Sequence, residues 1–358
     1  MTLASVCLLG VMGWAQGAAQ PAEGAAQPSE THLTAENMAA PDEMPDWLLK
    51  SVELGLARLA REQQADGSFG AGRYGGNVAV TALAGIAFMA DGNLPGRGPY
   101  GEHVRKSLEY VLSRQAENGL FVAEASQSPM YGHGFVTLFI AEVYGMTAGG
   151  GDTVLARRTH EALVRAVRLI EQSQNSEGGW RYNPVPYDAD VSVTICQVMA
   201  LRSARNAGIE VRKEVIDRAV EYVKRCQNPD GGFRYQAEAG TSLWARSAAG
   251  VATLYYAGIY EDDSITRGLR YVRDQSLPGR VPPQRAHYHY GHYYAVQAMY
   301  LAGGGSWAEW WPAIRNEMVA SQSPDGGWED RSYGTAYATS MCLIVLQMPK
   351  RYLPIFQR

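Results

Sequence analysis

Six stretches of the chain are nearly free of charge: Val78 to Met89, Phe135 to Tyr144, Val191 to Leu201, Ala248 to Tyr256, Tyr293 to Leu301 and Ala336 to Leu346. A helix that is apolar all round is a buried one, so each predicts an inner helix. Amphipathic segments alternate with them. Before the fourth, Val215, Ala219, Tyr222 and Cys226 recur at spacings of four, three and four with charges between, the pattern of a helix with one solvated face. Six outer helices alternating with six inner ones predict an all-α fold, a closed (α/α)6 toroid of six helical hairpins. An open solenoid of the same units is the alternative.

A recurring turn marks each hairpin. Four copies are plain: Gln63-Gln-Ala-Asp66-Gly-Ser-Phe69, Gln174-Asn-Ser-Glu177-Gly-Gly-Trp180, Gln227-Asn-Pro-Asp230-Gly-Gly-Phe233 and Gln322-Ser-Pro-Asp325-Gly-Gly-Trp328. Two decayed copies, Gln115-Ala-Glu-Asn118-Gly-Leu-Phe121 and Gln275-Ser-Leu-Pro278-Gly-Arg-Val281, complete spacings of 52, 59, 53, 48 and 47 residues. Glycine ends the outer helix, the acid and Gln bond backbone at the turn, and the aromatic returns to the core. The motif reads as a structural device without chemistry of its own.

Composition adds the ends of the chain and excludes some partners. Leu3 to Ala15 is apolar, too short to span a bilayer, and followed by Ala15-Gln16-Gly17-Ala18-Ala19, so residues 1–17 read as a secretion signal. The Ala-, Gln-, Pro- and Glu-rich residues 18–46 read as a disordered linker, and 47–358 as one barrel. The expected location is exported, periplasmic or in the cell envelope, with no transmembrane span in the mature chain. Apolar content of 46% supports a sizeable core, and a net charge of −4 gives no electrostatic reason to expect nucleic acid. Beyond the leader only Cys196, Cys226 and Cys342 remain, which imply no disulfide framework.

The Gln-x-x-Asp-Gly-Gly-Trp/Phe turns resemble the repeats of squalene and oxidosqualene cyclases and of protein prenyltransferase β subunits. The resemblance runs from about Trp47 to the end and is closest to the single-barrel bacterial, planctomycete-type members of this prenyltransferase/squalene cyclase superfamily. It implies a terpene cyclase/mutase-like barrel. In the cyclases the middle acid of an Asp-x-Asp-Asp-Thr motif protonates a polyene. Here Asp188-Ala189-Asp190-Val191-Ser192 matches, with Asp190 at the donor and Asp188 at the first acid, while Val191 and Ser192 replace the third acid and the Thr. His292 is similar to a zinc-binding His of the protein prenyltransferases, but Thr241 to Arg246 supply neither the Asp nor the Cys of that site.

Aligning the inner helices on Thr81, Thr137, Thr194, Ser247, Val296 and Thr339 gathers the residues four positions earlier: Asn77, His133, Asp190, Leu243, His292 and Thr335. In a closed ring these circle one mouth, although Asn, Asp and Thr at such positions also serve as helix caps. Asp188 beside Asp190 would raise one carboxyl's pKa. Arg246, in an apolar inner helix, should want a carboxylate, either Asp190 or Glu142. Tyr74, Tyr131, Tyr187, Tyr290 and Tyr333 precede inner helices and predict an aromatic rim. With His133 and His292 it suits an amphiphilic or carbohydrate ligand. His287, His289 and His292, spaced two and three apart, match no metal motif, and no metal or cofactor is expected.

The functional expectation is an isoprenoid-binding, terpene cyclase- or prenyltransferase-like ring, with acid-initiated cyclisation or isomerisation through Asp190. The alternatives are a non-catalytic ring that binds a glycan, lipid or protein, and, by fold analogy alone, a glycan-processing enzyme.

Overall fold

The computed structural model describes residues 42–123, 128–147, 152–280 and 286–357. The predicted leader (1–17) and most of the predicted linker (18–46) lie outside the described residues. Among the described residues twelve α-helices alternate as outer and inner partners: α1 (Asp46–Glu62), α2 (Val78–Met89), α3 (Gly101–Ser113), α4 (Pro129–Thr147), α5 (Thr153–Ser173), α6 (Val191–Asn206), α7 (Lys213–Arg225), α8 (Trp244–Tyr256), α9 (Asp263–Ser276), α10 (Tyr288–Ala302), α11 (Gly304–Ala320) and α12 (Thr335–Leu346). No strand occurs among the described residues; three isolated bridges are the only extended pairings there. The outer helix α7 buries one face, Val215, Ala219, Val220, Tyr222 and Val223. The inner helix α2 buries every residue except Ala79.

The ring is closed. Each even-numbered helix packs on the next, and α12 packs on α2, while α1 lies against α12 and α11. The turn motif makes the circumferential joints. Gln174 Nε2 donates to its own turn at the Gly178 carbonyl, 2.8 Å, and to the next outer helix at the Val215 carbonyl, 2.7 Å. Arg218 of that helix donates back to Gln174 Oε1. Gln63, Gln115 and Gln227 repeat the arrangement toward α3, α5 and α9. Gln322 repeats it across the seam of the ring, donating to the Ser51 carbonyl at 2.9 Å and accepting from Ser51 Oγ at 2.7 Å. The sequence expectation of bonds within the turn is therefore half of the arrangement; each of these five Gln side chains also pins the following hairpin. The motif aromatics Phe69, Phe121, Trp180, Phe233 and Trp328 are fully buried.

Replacing Gln322 with Ala removes both donor bonds and strands two carbonyls. We expect a loss of about 1–3 kcal/mol in urea denaturation, equal within error to Gln63→Ala, because in a closed ring the seam is one joint among several. A silent Gln322→Ala would contradict closure.

Backbone amides of the same aromatics dock on the inner helices. Phe69, Trp180, Phe233 and Trp328 donate to the hydroxyls of Thr81, Thr194, Ser247 and Thr339. At the far end of the ring a short 3₁₀ turn, Pro354–Phe356, packs on α6 and α4. There the Ile355 amide donates to Glu142 Oε2 at 3.2 Å, and Ser203 Oγ donates to Glu142 Oε1 at 2.5 Å. Cys196, Cys226 and Cys342 are free and buried.

Candidate functional site

Asp190 ends the loop that enters α6. Its amide donates to the Trp180 carbonyl at 3.0 Å, and Val191 donates to the Tyr235 carbonyl of the next unit at 3.1 Å. Gln236 Nε2 holds the Ala189 carbonyl at 3.1 Å, and on the other side the Met130 amide reaches the Tyr182 carbonyl at 3.0 Å. Two neighbouring hairpins thus fix the loop that carries both acids.

The Asp190 carboxyl is fully buried. Oδ1 accepts from the Val193 amide at 2.9 Å, capping α6. Oδ2 accepts from the Tyr235 hydroxyl at 3.2 Å and lies 3.6 Å from Arg181 Nε. Burial pushes its pKa up to about 6, outweighing the Val193 amide, the Tyr235 hydroxyl and the Arg181 guanidinium, which all favour the anion. Arg181 pairs closely with Asp188, and this pairing draws its charge away from Asp190. The Tyr235 hydroxyl is hydrogen-bonded to that of Tyr182. The Arg181 guanidinium stands 5.0 Å and 5.4 Å from the Tyr182 and Tyr235 ring centres.

Other tyrosines complete the mouth. Tyr131 lies 6.2 Å from Tyr182, ring to ring. Burial raises its hydroxyl pKa, and Tyr290 and Asp190 add to the shift. Tyr290 donates to the Ser192 carbonyl at 3.2 Å. Tyr333 stacks obliquely between Tyr74 at 5.6 Å and Tyr337 at 5.0 Å. Tyr187, by contrast, is 87% exposed and turned to solvent, so it adds nothing to this cluster.

Four other expected site residues stand elsewhere, for identifiable reasons. In units two and five the inner helix begins a turn earlier than the alignment implies, so His133 and His292 fall inside α4 and α10 rather than at their ends. His133 is fully buried: its Nδ1 accepts from the Phe121 amide and its Nε2 faces the Ala166 carbonyl. It does for unit two what a hydroxyl does in units one, three, four and six, and burial lowers its pKa to about 4. His292 is packed among Tyr288, Trp244 and Trp310, with ring centres at 4.5, 5.0 and 5.7 Å; burial lowers it to about 3. Arg246 pairs with neither expected acid. It donates to the carbonyls of Phe233 and Thr241, 3.0 and 2.5 Å, within its own unit. Glu142 lies toward the far end of the ring. Besides the Ile355 amide of the tail it bonds Ser203, thirteen residues beyond Asp190 on α6 and hence about 20 Å away.

Arg181, Tyr182 and Tyr235 were not among the residues expected from the sequence. The available signal was a shared extension of the motif: Trp180-Arg181-Tyr182 and Phe233-Arg234-Tyr235 repeat one pattern in adjacent units. His289 is held by Asp330 at 2.9 Å, while His287 is exposed. Among the described residues no three His, Cys, Asp or Glu side chains group as metal ligands. A surface cleft of about 250 Å³ between α9 and α11, reaching Met299 and Trp310, shares no residue with the mouth.

The architecture and mouth define a class: an all-helical double ring whose inner-helix starts bear a buried acid among tyrosines. Residues 152–281, the third and fourth units with the outer helix and turn of the fifth, match the squalene-hopene cyclase C-terminal domain. The chain is 28% identical over 159 residues, 44% of its length, to a drimenyl diphosphate synthase of Streptomyces showdoensis. It is 27% identical over 216 residues, 51% of its length, to a squalene–hopene cyclase of Alicyclobacillus acidocaldarius. The matches cover 26% and 33% of those relatives. The type II terpene cyclase MstE from Scytonema, in a complex with geranylgeranyl dihydroxybenzoate, shares the fold at TM-score 0.57 and 14% identity, over 86% of this chain and 98% of that one. These matches support the prenyltransferase/squalene cyclase superfamily. No helix among the described residues is long and apolar enough to cross a membrane.

Proposed function

We propose that this chain is an exported ring that binds an isoprenoid or similar amphiphilic ligand at the mouth around Asp190, with Asp190 as its proton donor. The observation that carries the reading is the Asp190 carboxyl itself. It is buried, keeps one oxygen among tyrosine hydroxyls, and has its pKa pushed up to about 6. Protonation of an alkene would break the Asp190 O–H bond, form a C–H bond and leave a carboxylate beside a carbocation. The neighbouring tyrosine faces favour that cation. Asp188 supports the step by engaging Arg181, which would otherwise stabilise the Asp190 anion. The MstE complex with a geranylgeranyl compound and the matched cyclase repeats support an isoprenoid ligand. The apolar run Leu3–Ala15 supports export.

Val191, fully buried where the cyclases carry a third acid, favours a second reading, a ring that binds without catalysing. Incubation with squalene and shorter polyprenyl substrates distinguishes the two. On the catalytic reading product forms, its rate rises as pH falls through about 6 because the protonated acid is the active form, and Asp190→Asn abolishes it at any pH. Ligand binding that survives Asp190→Asn, with no product from either protein, selects the binding reading.

A further inference from the structure

The six inner helices lie in the order α2, α4, α6, α8, α10, α12 around the ring, so α10 stands opposite α4 and is separated from α6 by α8. Side chains nonetheless join these non-neighbours across the axis. Tyr290 bonds the Ser192 carbonyl at 3.2 Å, the Tyr294 hydroxyl lies 3.3 Å from Cys196 Sγ, and Tyr293 reaches Met199 Sδ at 3.8 Å. The Tyr293 ring also meets Phe135 of α4 edge to face at 6.1 Å. Residues 192, 196 and 199 follow one another down α6, so the crossings are stacked over about 10 Å of helix rise. Tyr293 and Tyr294 are fully buried and Phe135 is 5% exposed. Asp190, at the cap of α6, stands level with the uppermost crossing. Below the lowest one, Gln297 bonds both the Tyr293 carbonyl and the Tyr256 hydroxyl. The axis beneath the acid is therefore bridged by the protein's own aromatic side chains.

We infer that the ring takes a short amphiphile, a prenyl chain too short to pass the Tyr290 crossing or a single apolar ring with a polar head. The contact of Phe135 with Tyr293 excludes a long polyene from the axis. The inference rests on the mouth being the ligand site, as proposed above, and adds the limit on length. An apolar chain gains about fourfold in affinity for each methylene it buries. That gain stops where the chain meets the first crossing, and any further carbons remain in water.

The test is a binding series with the full chain, using geraniol, farnesol, geranylgeraniol and squalene as probes in order of length. Affinity is expected to level off at geraniol or farnesol, with no further gain for the longer two. In Tyr290→Ala, alone and combined with Tyr293→Ala, the rise should extend to geranylgeraniol, by tenfold or more relative to the parent, because the first crossing and then the one beneath it are removed. Tyr290→Leu serves where circular dichroism shows the alanine variants unfolded, and the parent series is decisive without any variant. A parent affinity that climbs steadily to squalene overturns the length limit and leaves the mouth reading standing. Binding of none of the four overturns the mouth reading itself.

Discussion

Gly178→Ala is expected to destabilise the ring by about 3 kcal/mol or more, while Gly279→Ala costs about 1 kcal/mol. Both glycines occupy the same place in the repeat and both have positive φ, +102° and +79°. They differ in what lies beside them. A Cβ on Gly178 would stand 2.2 Å from the carbonyl oxygen of Arg218 on the next outer helix, whereas one on Gly279 meets nothing within 4 Å. Left-handed backbone strain alone is about 1–2 kcal/mol for a non-glycine residue. The rest at Gly178 comes from forcing α7 outward, which also loosens the Gln174 joint to Val215. Urea melts of the two variants against the parent read the contrast directly. Equal losses would mean that backbone conformation, and not the close approach of the next hairpin, sets the glycine.

Stability should fall by about 3 kcal/mol between pH 5 and pH 8, and Glu142→Gln should remove most of that slope. Burial pushes the Glu142 carboxyl from 4.5 to about 7, against hydrogen bonds from Ser203 and the Ile355 amide that favour the anion. A folded-state pKa above the unfolded one means that the native protein binds the proton more tightly. The contribution is thus fully present below about 4.5 and is lost as pH rises through about 7. A shift of that size corresponds to about 3 kcal/mol. The charged group would sit beneath the 3₁₀ turn Pro354–Phe356, so loss of order should begin at the C-terminal strap, measurable as faster amide exchange at Ile355 above pH 7. Asp190 contributes a smaller slope of the same sign, which Asp190→Asn isolates. A flat profile in the parent protein would show that Glu142 stays charged or hydrated in the folded ring.

How much was legible in the sequence depended on whether a feature was local and repeated. The six turns, the twelve-helix count and the assignment of inner and outer helices were all readable, because helical periodicity and a Gln-to-glycine turn are short-range properties recurring about every fifty residues, although the glycine stands in that turn and the outer helices end on other residues, Gln63 and Gln174 among them. Asp190 at the entry to an inner helix was readable for the same reason. His133 and His292 misled, because a difference of one turn in where α4 and α10 begin moves a side chain from the rim into the core, and helix starts are the least determined part of a pattern. Arg246 misled because its carbonyl partners, Phe233 and Thr241, are backbone groups and leave no trace in residue type.

By itself the sequence determined the hairpin, its number and its polarity, since each follows from residues within one repeat. Only the tertiary structure decided that the ring closes, since Gln322 meets Ser51 across 271 residues of chain. It alone made Arg181, rather than Arg246, the cation beside the acids. It also bridged the axis under Asp190, because Phe135, Tyr293 and Met199 meet only when three separate inner helices curve around one centre.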